Sequence, residues 1–110
     1  MLSSDILRGH LDAILLRLIS ENDRYGYELF SEISSRTQGR LNIKEATLYA
    51  VLQRLEKQGH ISSYQGEVSE GSKRRYYHIT AAGRTYLAQE ITAWRMAKDI
   101  INIFMEEQNP

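Results

Sequence analysis

Residues 44–59 read Lys44-Glu45-Ala46-Thr47-Leu48-Tyr49-Ala50-Val51-Leu52-Gln53-Arg54-Leu55-Glu56-Lys57-Gln58-Gly59. Leu48, Val51, Leu52 and Leu55 fall at i, i+3, i+4 and i+7, the spacing of one buried helical face. The pattern predicts a helix over 44–58 that Gly59 stops. Asn42, three residues before Glu45, predicts a capping box at its start. The opposite face presents Thr47, Ala50, Gln53, Arg54 and Lys57, with Lys44 in the first turn and Tyr49 on the flank. Short hydrogen-bonding side chains near the N-terminal half suit base edges, and cations further along suit phosphates. A merely solvated helix would carry the same mixture, so the wheel alone leaves both readings open.

Downstream, His60–Gly66 and Arg74–Thr80 have strand character, and Ser69-Glu70-Gly71-Ser72 between them is turn chemistry, which predicts a hairpin. Lys73, Arg74 and Arg75 follow that turn with no acid among them. Glycine and serine beside cations allow close approach to a phosphate backbone, which makes Ser72, Lys73 and Arg74 candidate contacts. Cations on an exposed strand also prevent pairing with neighbouring molecules. Alternation places Tyr77 and Ile79 inward and Arg74 outward.

Upstream, Leu7, Leu11, Ile14, Leu15 and Leu18 predict an amphipathic helix over about 5–21. A polar turn follows at Glu21–Arg24, and a second helix over about 25–37 buries Leu29, Phe30 and Ile33, with Gly39 as its left-handed cap. Helix, helix, helix, hairpin is the order of a winged helix-turn-helix, whose third helix enters the major groove.

Thr80 predicts the N-cap of a fourth helix running from Ala81 to about Gln108. Leu87, Ile91, Trp94, Lys98, Ile101 and Met105 step 4, 3, 4, 3 and 4 along it, a heptad seam. Ala93, Ala97, Ile100 and Phe104 add a second stripe. A surface this wide predicts burial against a second copy, which would let two reading helices meet half-sites about 34 Å apart. Folding back onto its own domain is the alternative. The fold class read from the pattern is therefore mainly α (α+β). Residues 1–80 form the DNA-binding domain with a two-stranded wing, and 81–110 form the dimerisation helix.

Net charge is zero over 110 residues, but it is unevenly spread. Residues 1–35 carry three basic and six acidic side chains (−3), residues 36–84 nine and four (+5), and residues 85–110 two and four (−2). A basic centre between acidic ends lets one face meet phosphate. With no cysteine, disulfides and thiolate metal sites are excluded. No stretch approaches the roughly 18 apolar residues of a membrane span or the pattern of a signal peptide, so the expected location is cytoplasmic. His10, His60 and His78 are far apart, and no nucleophile elbow or phosphate-cradling glycine loop occurs. Neither catalysis, a metal nor a cofactor is expected. A winged-helix protein-interaction module without DNA is the competing reading.

Several of these residues together resemble the PadR family of regulators. They are Tyr25-Gly26-Tyr27-Glu28-Leu29, Thr47-Leu48-Tyr49 with Leu52, Arg54-Leu55-Glu56, Gly59-His60-Ile61, Gly71, Arg75-Tyr76-Tyr77 and Ile79-Thr80-Ala81-Ala82-Gly83. The likeness covers roughly residues 6–106, and the single C-terminal helix is similar to that of the small subgroup containing multidrug-sensing repressors. Ala46 and Ser72 stand where the family pattern often has glycine and proline. The resemblance implies a homodimer that represses genes from a pseudo-palindromic double-stranded DNA operator and leaves it when a ligand arrives. By the same resemblance, Thr47 and Tyr49 would contact bases and phosphate, and Lys73 with Arg74 would grip the backbone. Trp94 would pair with its symmetry mate around a small aromatic or phenolic effector, with Ile91 and Ile101 on the same seam. The partner's first helix, including the Ile6 and Ala13 positions, would supply the walls. Lys98 would attract an anionic or phenolic ligand or fix the register of the seam.

Overall fold

The computed structural model describes residues 2–3, 7–66 and 73–106. A two-residue strand β1 (Leu2–Ser3) and a 3-10 turn at Arg8–His10 lead into α1 (Leu11–Glu21). Then come β2 (Arg24–Tyr25), α2 (Gly26–Thr37), β3 (Leu41–Asn42), α3 (Glu45–Lys57), β4 (Ile61–Gly66), β5 (Arg74–Ile79) and α4 (Ala81–Met105). The mainly helical winged helix expected from the pattern is the fold observed.

One core joins these elements. Leu15, Leu16 and Ile19 of α1, Leu29 of α2, Leu48, Leu52 and Leu55 of α3 and Ile61 of β4 are almost wholly shielded from solvent. The helical stripes of the sequence thus converge on one interior, and each fully buried leucine contributes about 1.5–3 kcal/mol. Tyr77 and Ile79 of β5 point into the same core, as strand alternation requires, and they fix which face of the sheet remains outside.

Local structure departs from the sequence reading in four places. The wing is a three-stranded sheet in the order β2-β5-β4, because Arg24 and Tyr25 pair antiparallel with Tyr77 and Tyr76. Two residues carry no alternation pattern, so the sequence showed only a turn there. The capping box of Asn42 and Glu45 does not form: Asn42 pairs with Ser3 in a parallel ladder, and Lys44 is the N-cap without a side-chain bond. A capping contact occurs instead at α2, where the Tyr25 N–H donates to Glu28 Oε1 at 3.2 Å. The α1 helix begins at Leu11 rather than near residue 5. At the end of α2 the left-handed turn uses Gln38 (φ 55°) as well as Gly39 (φ 74°), and their N–H groups reach Ser35 and Ser34 carbonyls. The expected wing turn at 69–72 lies outside the described residues.

Thr80 caps α4 as expected, accepting a hydrogen bond from the Gly83 N–H at 3.0 Å. Gly83 and Leu87 are buried and Ile91 is half-buried against the core. Beyond Ile91 the helix leaves the body of the protein: Trp94 is 48% exposed, Ile101 52% and Phe104 78%. The seam read from sequence therefore has two parts, the first packed on its own domain and the second uncovered. No helix among the described residues is long and apolar enough to cross a membrane.

Candidate nucleic-acid interface

The burial of Leu48, Val51, Leu52 and Leu55 fixes the roll of α3 and so chooses what it shows to solvent. Lys44, Gln53 and Lys57 are exposed, with Ala46 and Ala50, and Thr47 is half-buried. These side chains form the accessible face that the helical pattern predicts. Tyr49 is 42% exposed and leans its ring against Gly26, the first residue of α2. A methyl group at Gly26 would overlap the Tyr49 hydroxyl, so the glycine lets the two helices approach.

Arg54 is set apart from the rest of that face. Its guanidinium forms an ion pair with Asp12 of α1, and the hydrogen bonds it donates to the Asp12 carboxylate hold it firmly protonated. The arginine side chain is half exposed, so this pair contributes little to stability but gives the α3 cation a fixed direction. A second chain of polar contacts ties α3 to the wing. Ser63 of β4 donates to Glu56 at 2.5 Å and accepts from Arg75 of β5 at 2.5 Å. Sequence reading missed Asp12, Ser63 and Arg75 because each lies on a different element from its partner.

At the root of the wing Lys73 is exposed, and Arg74 sits over the ring of Tyr25 with its guanidinium carbon 4.5 Å from the centroid. Ser72, the remaining wing candidate, lies outside the described residues. Behind Arg74 the outer face of the sheet is aromatic, with Tyr64 and Tyr76 stacked at 5.8 Å. Asp23 closes this row, accepting from Tyr64 at 2.5 Å and pairing with His78 Nδ1 at 2.8 Å. Partial burial pushes the Asp23 carboxyl up, but the hydrogen bonds from Tyr64 and His78 outweigh it and hold the group below the usual aspartate range.

The expected effector residues are only partly gathered. Ala13, Ile91 and Trp94 line a groove of about 920 Å³ between α1, α4 and the end of α2. Lys98 lies outside that lining and places its ammonium over the Trp94 ring at 4.9 Å, while Ile101 is further along α4. Ile6 lies outside the described residues. Arg17, Arg36, Arg40 and Arg95 rim the groove with one acid, Glu90, a mainly cationic border that no sequence spacing disclosed because it draws on three helices and a loop. Of these, Arg36 is already held by Glu21 at 2.6 Å and Glu32 at 2.8 Å, which keeps Glu21 below the usual glutamate range. Among the described residues no cluster of His, Asp and Glu could hold a metal ion.

Comparison with known proteins agrees with this geometry. Residues 15–89 match the model of the transcriptional regulator PadR-like family. An uncharacterized protein of Lysinibacillus sphaericus is 58% identical over 106 residues, covering 96% of this chain and 97% of that one. A transcriptional regulator from Clostridium thermocellum superposes with a TM-score of 0.88 at 43% identity, covering 96% of this chain and all of the other (100%). A PadR-like transcriptional regulator from Bacillus cereus gives 0.82 at 30% identity, again covering 96% of this chain and 100% of that one. A PadR family transcription regulator from Clostridium difficile gives 0.77 at 31%, covering 88% of this chain and 99% of that one. With this reach over both chains, and with the helix-turn-helix and wing in place, the chain belongs to the PadR-like family of transcriptional regulators.

Proposed function

We propose that this protein is a homodimeric, ligand-responsive repressor that binds a pseudo-palindromic operator. In this reading α3 enters the major groove and residues 66–75 lie on the backbone. The observation that carries it is an exposed polar face on α3 combined with an apolar α4 tail that no described residue of the chain covers. Residues 1–80 then serve as the reading unit and 81–110 as the joining helix. Lys44, Lys57, Lys73 and Arg74 supply charge to phosphates, Tyr49 reaches a phosphate from the flank, and Thr47 and Gln53 approach base edges. Arg54, fixed by Asp12, presents its remaining N–H edge from a set position.

Titration of promoter fragments, beginning with the protein's own upstream region, tests the DNA reading. If a dimer neutralises about 6–10 phosphates, affinity should fall roughly 10³–10⁵-fold between 50 and 200 mM salt. Lys57→Ala should weaken every duplex alike, whereas Thr47→Ala should narrow the preference for operator over other sequences. A response that ignores salt would instead favour a protein-interaction module.

The effector belongs to the same proposal. The groove beside Ala13, Ile91 and Trp94 is mostly apolar with a cationic rim, which suits a flat aromatic molecule bearing a phenol or carboxylate. Trp94 is the only tryptophan, so its emission reports on this place alone. Planar phenolic compounds should quench it and release DNA at the same concentrations. Unchanged emission across a varied panel would remove the pocket from the proposal.

A further inference from the structure

The cation at the root of the wing is braced from the helix-turn-helix. Arg74 covers the ring of Tyr25, and Tyr25 meets Tyr76 edge-on with centroids 5.4 Å apart. The register makes this a row across three strands, since Tyr25 and Tyr64 both stand opposite Tyr76. Asp23 anchors the far end through Tyr64. Tyr25 itself is fixed twice, by its pairing in β2 and by the bond from its N–H to Glu28 in the first turn of α2. The contact places the guanidinium carbon over the ring and does not use its N–H donors. Among the described residues no hydrogen bond engages them.

We propose that Tyr25, steadied by Tyr76, is the positioning residue of the wing: its ring holds the Arg74 guanidinium so that the free N–H edge meets a DNA phosphate. This rests on the DNA-binding reading above. An arginine on an exposed strand samples many rotamers, and ordering it on binding costs affinity. A ring that pre-orders the side chain removes part of that cost without touching DNA itself. The same contact ties the wing root to the start of α2, where Gly26 packs against Tyr49 of α3, so the wing and the reading helix keep one relative setting. A lysine in place of Arg74 would keep the charge but lose the forked donors of the guanidinium.

A double-mutant cycle tests the assignment, using Tyr25→Leu, Arg74→Ala and the pair, titrated onto a mixed-sequence duplex of about 30 base pairs at low salt. Tyr25→Leu should weaken binding about 2–5-fold, the range of an exposed cation–π contact. In the Arg74→Ala background it should have no further effect, and Tyr25→Phe should bind like the parent. Additive losses, or a phenylalanine that fails to restore binding, would overturn the role of Tyr25. Should Tyr25→Leu not fold, a trifluorinated phenylalanine at position 25 keeps the shape and drains charge from the ring face. It should then bind less tightly than Tyr25→Phe, and equal binding refutes the brace. Parent protein that ignores the duplex altogether overturns the DNA reading together with this one, whereas intact binding with additive losses removes only this one.

Discussion

Ile101→Asp should convert the protein to a monomer and lower its affinity for operator DNA by at least about 100-fold. Ile101 sits on the seam of α4 beyond Ile91, the last residue of the helix packed against the core, and is 52% exposed. Around it Ile100, Phe104 and Met105 are 57%, 78% and 75% exposed, a concentration of apolar surface that a small protein does not leave to water. In a two-fold interface the substitution acts twice. Each aspartate forfeits roughly 1.5–3 kcal/mol of isoleucine burial and brings a carboxylate into a desolvated contact. The loss in DNA affinity follows from geometry, not from any contact of Ile101 with DNA. A dimer binds its second half-site as an intramolecular event, and uncoupling the halves removes an advantage of about 10²–10⁴. Sedimentation equilibrium and operator titration read the two consequences separately. A variant that stays dimeric with unchanged affinity would place the interface elsewhere.

Gly83→Ala carries the second large effect, and its sign is the opposite of the usual one. In an open helix this change stabilises by about 0.5–1 kcal/mol, because alanine loses less backbone freedom. Gly83 lies in the first turn of α4, buried where the helix crosses the start of β4. An added methyl would overlap the carbonyl oxygen of His60 and come within 2.9 Å of Ile79 Cγ1. That carbonyl is not free to turn away, since it accepts the Thr80 N–H at 3.1 Å. Relief must come from moving α4, which also carries Tyr86, stacked on the His60 ring at 4.5 Å. Overpacking against backbone costs about 1–3 kcal/mol, so a drop of several degrees in melting temperature is expected. In the proposed dimer the direction of α4 sets the separation of the two reading heads, so operator affinity should fall further than stability alone explains. Thermal melts and titrations on the same samples check both, and a stabilised variant would show that the crossing has slack.

Much of the outline was legible before any coordinates. The stripe at Leu48, Val51, Leu52 and Leu55 is buried as read, Tyr77 and Ile79 face the core, and Thr80 caps α4. Period and capping chemistry are local, so a chain states them without tertiary help. The failures are also alike in kind. A two-residue strand at Arg24–Tyr25 has no period to detect, and Asn42 lost its capping role to a ladder with Ser3, a partner far away in sequence.

The candidate interface divides along the same line. The residue types on α3 and at the wing root gave the expectation of phosphate contacts, because cations and turn glycines are visible in any sequence. That Asp12 takes hold of Arg54, that Glu56, Ser63 and Arg75 form one chain, and that Tyr25 lies beneath Arg74 could not be seen there.

By itself, then, the sequence determined the order of the four helices and the two hairpin strands, the inward faces and the excess of apolar surface on α4. Those follow from hydrophobic spacing and backbone preference within a few residues. Only the tertiary structure decided where α4 leaves the body, which cations are already paired and what braces the wing. Such contacts join side chains more than 50 positions apart, as between Tyr25 and Tyr76 or Asp23 and His78, and no local pattern encodes a distance across space.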